Sequence, residues 1–188
     1  LDFISKYKKN YFENFIDIGA ADGYYGIGML HSLYVKNSIC FELTENGRNS
    51  IYSNWETNGS PGELKIFGNI FEDFNEGINS INLSKSLILI DIEGAEFDFL
   101  TEKNLMILSK SIIVIEIHNW IENFMSKYEN FLKIASKYFK INILKRKERN
   151  TLTFNELRSF TDDNRLLLTS EGRPCLMRFL SLEPLIEN

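Results

Sequence analysis

A chain of 188 residues, 44% hydrophobic and 25% charged, can bury a substantial core and is expected to form one domain over 1–188. Its formal charge of −5 argues against nucleic acid as a partner, and its apolar runs are too short to cross a bilayer as helices. Cys40 and Cys175 lie in apolar runs without metal-site spacing. They read as buried thiols of a reducing compartment, so a cytoplasmic setting is expected. The chain opens on Leu1 rather than Met, and upstream sequence is expected to be missing.

Leu1–Asn14 is charged and aromatic and reads as a lid or an N-terminal helix, with Lys6, Lys8 and Lys9 on a solvated face. Phe15–Leu30 (FIDIGAADGYYGIGML) starts as an apolar strand ending in Asp17 and turns through Gly19, Ala20, Ala21, Asp22 and Gly23. It continues as a helix over Gly23–Tyr34. Small residues at such a turn let backbone approach a ligand, and Asp17 and Asp22 set carboxylates beside it. Gly26 and Gly28 point to close packing of that helix on a sheet.

Asn37–Leu43 reads as a second strand with Glu42 at its carboxyl end, followed by a helix over Glu45–Asn58 and a breaker cluster at 58–62. Glu63–Phe67 is a third strand, and Ile70–Ser84 fits either a helix or a loop. Ser86–Ile92 (SLILIDI) is a continuous apolar strand of the kind covered by helices on both faces. A helix is expected over Phe97–Leu108, a strand over Ser111–Ile117 leading to His118, and a helix over Glu122–Phe139. Lys140–Lys145 and Pro174–Ser181 are late strands, separated by a helix at Thr153–Phe160 and a brief extended segment at Leu166–Leu168. The alternation predicts an α/β fold whose mostly parallel sheet ends in an antiparallel C-terminal edge strand.

In such sheets ligands collect beyond the carboxyl ends of the strands. Those ends carry Asp17 and Asp22, then Glu42, then Asp91 and Glu93, then Glu116 and His118. A carboxylate at Glu42, 23 residues after Gly19, can accept the hydroxyl hydrogens of a ribose. Asn69 and Ile70 can offer a polar contact and an apolar wall to a base. Strand alternation places Asp91 and Glu93 on one side, where they can act as a base, ligate a divalent metal or hold a sulfonium. A metal needs further ligands, which Glu116 and His118 can supply; no metal is assigned from the sequence. His118 suits proton transfer near neutrality, whereas His31 reads as a structural or solvent-facing residue of the first helix. No glycine follows Gly23 to complete G-x-G-x-x-G, and neither a phosphate-binding G-x-x-x-x-G-K-[ST] loop nor a G-x-S-x-G elbow is present. The basic run Lys145, Arg146, Lys147 with Arg149 reads as decoration of a strand end.

The motifs D-I-G-A-A-D-G-Y-Y at Asp17–Tyr25, F-E-L-T at Phe41–Thr44, I-D-I-E-G-A-E at Ile90–Glu96 and I-V-I-E-I-H at Ile113–His118 stand in a telling order. Together they resemble the class I S-adenosylmethionine-dependent methyltransferases, and more narrowly the FkbM-type family. The resemblance implies a Rossmann-like methyltransferase fold and S-adenosyl-L-methionine as cofactor. Asp17, Gly19, Ala20 and Gly23 would then surround its methionine part, Glu42 would bind its ribose, and Asn69 and Ile70 would lie near adenine. Asp91 would border the donor methyl, and Glu93 belongs to the acidic signature. Asp22 departs from the Asn of many relatives. The implied acceptor is a hydroxyl of a sugar or another small molecule, with His118, Glu93, Asp91 or Glu116 handling the proton. A nicotinamide-dependent oxidoreductase would explain the first turn and Glu42 but leave the acidic signature idle. A non-catalytic cofactor-binding or assembly protein is compatible with the same fold.

Overall fold

The computed structural model describes residues 3–144, 150–169 and 177–185. The basic run at 145–149, Cys175 and the start of the late strand expected from Pro174 lie outside them. Seven strands form one sheet: β1 (Asn14–Ile18), β2 (Asn37–Phe41), β3 (Glu63–Phe67), β4 (Ser86–Ile90), β5 (Ile112–Ile117), β6 (Phe139–Leu144) and β7 (Arg178–Pro184). Their order is β3-β2-β1-β4-β5-β7-β6. The first five run parallel, and β7 lies antiparallel to β5 on one side and to β6 on the other. The mostly parallel sheet with antiparallel pairing towards one edge is the expected architecture, with the reversed strand second from that edge.

Among the described residues, seven α-helices connect these strands: α1 (Tyr24–His31), α2 (Glu45–Thr57), α3 (Ile70–Gly77), α4 (Glu96–Phe99), α5 (Glu102–Ile107), α6 (Phe124–Ala135) and α7 (Asp162–Leu168). The central strands are buried on both faces, which is why they are continuous runs of Ile, Leu and Val. On one face Ile16, Ile18, Ile88, Ile90, Ile113 and Ile115 join Phe74 of α3, Leu105 of α5 and Phe131 of α6 in the main core. On the other, Phe15 and Leu87 pack with Met29 and Leu30 of α1, while Cys40 packs with Ile27 of α1 and Ile51 of α2.

Local chemistry moves several boundaries from their expected places. The helix expected over Phe97–Leu108 is broken in two. Thr101 leaves helical geometry and caps α5 by accepting from Asn104 N, while Asn104 Nδ2 donates to the Phe99 carbonyl. Asn69 resolves the Ile70–Ser84 ambiguity by capping α3. The helix expected at Thr153–Phe160 is instead a pair of short 3-10 turns, Thr151–Thr153 and Asn155–Leu157. Leu166–Leu168, expected to be extended, ends α7, whose cap Thr161 and first-turn Asp162 and Asp163 favour a helix. Phe3, Ile4 and Tyr7 pack beside Phe12 and Phe15 at the amino ends of the strands. They are therefore no lid over the carboxyl edge. No helix among the described residues is long and apolar enough to cross a membrane.

Candidate active site

Register places the site. Ile18, Phe41, Phe67, Ile90 and Ile115 form one rung across the five parallel strands. The next residue of the first four strands therefore opens the same carboxyl edge, at Gly19, Glu42, Gly68 and Asp91, while β5 runs two residues beyond the rung to Ile117 and reaches the edge at His118. Between β1 and β4 the winding of the sheet reverses, which leaves a crevice in open α/β sheets.

The β1 side of that crevice is built from backbone. Gly19 N and Ala20 N both donate to the Phe41 carbonyl, and Asp91 N donates to the Ile18 carbonyl. Gly19 has a φ of +90°, and a Cβ there would stand 1.8 Å from the Asp91 carbonyl oxygen. Only glycine allows the two strand ends to meet this closely. Gly26 serves α1 in the same way, since a Cβ would lie 2.6 Å from Cys40 Sγ. Gly28 has open space around it, so the close packing expected of it is Gly26's alone.

Asp17 is buried beneath the turn, and its Oδ2 accepts from Gly26 N at 3.1 Å. Burial pushes its carboxyl up to about 7 against that hydrogen bond, with Asp91, Asp22 and Glu42 adding repulsion. Asp22 is exposed, and its Oδ1 accepts from Tyr24 N at the start of α1. Glu42 reaches back over the turn. Its Oε2 accepts from Ala21 N at 3.0 Å, and its Oε1 accepts from Thr44 N and Thr44 Oγ1 at 2.9 and 2.7 Å. A Cβ at Gly47 would lie 2.5 Å from Glu42 Cγ, so that glycine makes room for the side chain. Thr44 and Gly47 hold Glu42 in place and escaped the sequence reading, although Thr44 is also the N-cap of α2.

Asn69 lies beyond β3, but its side chain is occupied. Oδ1 accepts from Phe71 N and Nδ2 donates to Glu72. Ile70 is buried in the main core. Of this pair, the backbone stands at the edge rather than the amide and apolar wall expected from the sequence.

The β4 side is built from side chains. β4 ends at Ile90, so strand alternation does not align Asp91 with Glu93. A turn does, with Glu93 at φ 52° and Gly94 at φ 109°. His118, just past β5, is fully buried and faces both. Its Nε2 lies 3.5 Å from Asp91 Oδ1 and 3.4 Å from Glu93 Oε2. Its Nδ1 lies 2.5 Å from Oε1 of Glu96, an equally buried carboxylate that also accepts from Gly94 N. Burial works to lower the His118 pKa, but the Glu96 hydrogen bond and the charges of Glu96, Asp91 and Glu93 outweigh it and raise the value above the usual histidine range. Asp91 Oδ1, Glu96 Oε2 and His118 Nε2 are buried without a hydrogen-bond partner among the described residues. Glu116, expected to join His118 by their spacing, is buried in β5 opposite Phe179 of β7 and is not in this group. Glu96 takes that place; its signal was a third acid in the D-I-E-G-A-E run. The Trp120 ring, half exposed, lies 4.7 Å from the imidazole and walls one side.

No family model matches this sequence, and no curated protein matches it. Solved structures share its fold. A candidate rRNA methylase from Clostridium thermocellum superposes with a TM-score of 0.64 at 10% identity, over 100% of this chain and 94% of its own. An rRNA methylase from Streptococcus thermophilus gives 0.61 at 12%, over 98% and 93%. Streptococcus pneumoniae Sp1610, a candidate tRNA (m1A22) methyltransferase, gives 0.55 at 14%, over 100% and 70%. A second structure of Sp1610 holds S-adenosyl-L-methionine. The fold is thus the Rossmann-like fold of class I S-adenosylmethionine-dependent methyltransferases. The same findings correct the expectation that the partner is a small molecule and not nucleic acid. Structures of this fold carry tRNA and rRNA methylase names, and a net charge sums the whole surface while an acceptor meets only the patch around the cleft.

Proposed function

We propose that this chain binds S-adenosyl-L-methionine at the carboxyl edge of β1–β4 and transfers its methyl group to a hydroxyl oxygen of an acceptor. The observation that carries this reading is the Glu42 carboxylate, held by Ala21 N over a glycine turn at the point where the sheet reverses. The turn through Asp17, Gly19, Ala20, Asp22 and Gly23 receives the methionine part, Glu42 the ribose, and the backbone at Asn69 and Ile70 the adenine. This directs the sulfonium towards Asp91, where nearby carboxylates favour a cation. The four sequence motifs support the narrower FkbM-type assignment.

The chemistry required of the protein is modest. The acceptor oxygen must lie in line behind the donor methyl and must lose its proton during or after attack. Among the described residues, His118 Nε2 is a buried nitrogen without a hydrogen-bond partner beside Asp91 and Glu93. Glu96 on its other nitrogen stabilises the imidazolium that forms when it takes the proton, as a carboxylate does behind a catalytic histidine. Sugar hydroxyls meet these demands, whether in a saccharide or in the ribose of RNA.

Calorimetry with S-adenosylmethionine and S-adenosylhomocysteine, against reduced nicotinamide cofactor, tests the reading. One-to-one binding of the first two, weakened at least about tenfold by Glu42→Ala, is expected. Binding of the nicotinamide cofactor alone, or of neither, would overturn it. Transfer of labelled methyl to tRNA, rRNA and saccharides then identifies the acceptor.

A further inference from the structure

We propose that Asp91, Glu93 and His118 form a binding site for a zinc-class divalent cation, open to the acceptor. The inference rests on the methyltransferase reading only for what the cation would do; the site itself rests on geometry.

One ligand atom from each of the three residues lies within 4.8 Å of the others. The two spacings from His118 Nε2, 3.5 and 3.4 Å, are too long for good hydrogen bonds. They match the separation of about 3.4 Å between neighbouring ligands on a tetrahedral ion with bonds of about 2.1 Å. Two carboxylates and an imidazole are hard-to-borderline donors suited to Zn2+ and its first-row neighbours, and three protein ligands with an open fourth position are the catalytic form of such sites.

A second, independent observation comes from behind the imidazole. Glu96 engages Nδ1, which favours the Nδ1–H tautomer, so in the neutral imidazole that a metal requires the lone pair of Nε2 would face Asp91 and Glu93. That nitrogen and Asp91 Oδ1 are both buried without a hydrogen-bond partner among the described residues. A fully buried histidine whose second nitrogen is held by an equally buried carboxylate is the usual arrangement of a metal-bound imidazole. Charge points the same way. Among the described residues, Asp91, Glu93 and Glu96 form ion pairs with His118 and with no Lys or Arg. Three carboxylates around one imidazole remain negative in either protonation state, and a divalent cation offsets that charge. Glu93, whose side chain is 72% exposed, leaves the cluster reachable from solvent, so a bound ion could take an acceptor hydroxyl as a further ligand. An acceptor hydroxyl bound there would have its acidity raised by the ion, and its proton would pass to water instead of to His118.

Co2+ is the probe, because its visible absorption distinguishes four-coordinate from hydrated ion. Titrated into chelator-stripped protein, it is expected to give one equivalent of a strongly absorbing complex that Zn2+ displaces. Asp91→Asn and Glu93→Gln each preserve side-chain volume and are expected to weaken binding at least tenfold, with urea midpoints confirming that they fold. Glu96→Gln, a positioning change, is expected to weaken it about 10- to 100-fold. No complex, or one indifferent to Asp91→Asn and Glu93→Gln, overturns the cation site. Calorimetry of S-adenosylmethionine in excess chelator separates the two readings. Cofactor binding without Co2+ binding removes the cation site and leaves the proposed function standing. Co2+ binding without cofactor binding does the reverse.

Discussion

The two sides of the crevice are both acidic, yet they treat their acids differently. On the β1–β2 side, Glu42 has both oxygens occupied by donors of the fold, and Asp17 accepts from Gly26 N. On the β4–β5 side, Asp91, Glu96 and His118 each keep a buried atom without a hydrogen-bond partner among the described residues. Buried polar groups are normally paired, and an unpaired one costs about 1–3 kcal/mol. The first side is thus a finished cradle whose shape the fold maintains unaided. The second keeps buried polar atoms without hydrogen-bond partners among the described residues, a pattern that clusters where chemistry takes place.

The largest test strikes where the sides touch. Gly19→Ala would place a methyl on the Asp91 carbonyl and force a left-handed alanine. Strain and overlap together are expected to cost about 4 kcal/mol or more in urea denaturation. A wild-type midpoint would mean that the two strand ends do not meet as described.

The second test concerns Asp17. Burial raises its carboxyl from the ordinary 3.8 to about 7 in the fold, so its protonated form is the one the fold favours. The stability it contributes is complete below about pH 4 and is lost as pH rises through 7, on the order of 4 kcal/mol by linkage. Asp17→Asn is expected to remove that slope, overtaking the wild type increasingly from pH 4.5 to pH 8 in denaturation midpoints. Parallel pH profiles would show that Asp17 is ionised within the fold at little cost.

The smallest effects sharpen the contrast itself. Glu42→Ala, which strips three hydrogen bonds from the cradle, is expected to cost about 1–2 kcal/mol. Glu93→Gln, on a mostly exposed side chain, is expected to stay within about 0.5 kcal/mol of wild type. Equal costs from thermal melts would erase the distinction between a carboxylate that the fold holds in place and one that it leaves unheld.

Much of this edge was legible in the sequence because it depends on strand ends. Continuous Ile, Leu and Val runs identify buried parallel strands, and the shared register of Ile18, Phe41 and Ile90 brings the acids that follow β2 and β4, Glu42 and Asp91, to one edge beside Gly19. What depended on turns was less legible. Asp91 and Glu93 meet through two left-handed residues, not through alternation. The third acid of the D-I-E-G-A-E run marked Glu96, but a helix-starting glutamate does not announce that it is wholly buried against His118. Asn69 has the composition of a ligand contact and the geometry of a helix cap. The threonine caps at 101 and 161 were equally readable as ordinary loop residues.

The position of β7 has a consequence for how the molecule assembles. It follows β6 in the chain but lies between β5 and β6, hydrogen-bonded to both. The five parallel strands that carry the crevice are all synthesised by Ile117, while β6 has no sheet to join until β7 has been made. During that interval β5, with Ile113 and Ile115 along it, is a bare edge of the kind that recruits strands from other chains. The strand that covers the β5 edge is therefore the last of the seven in the chain, and β6 becomes the outer edge on that side only once β7 lies between them.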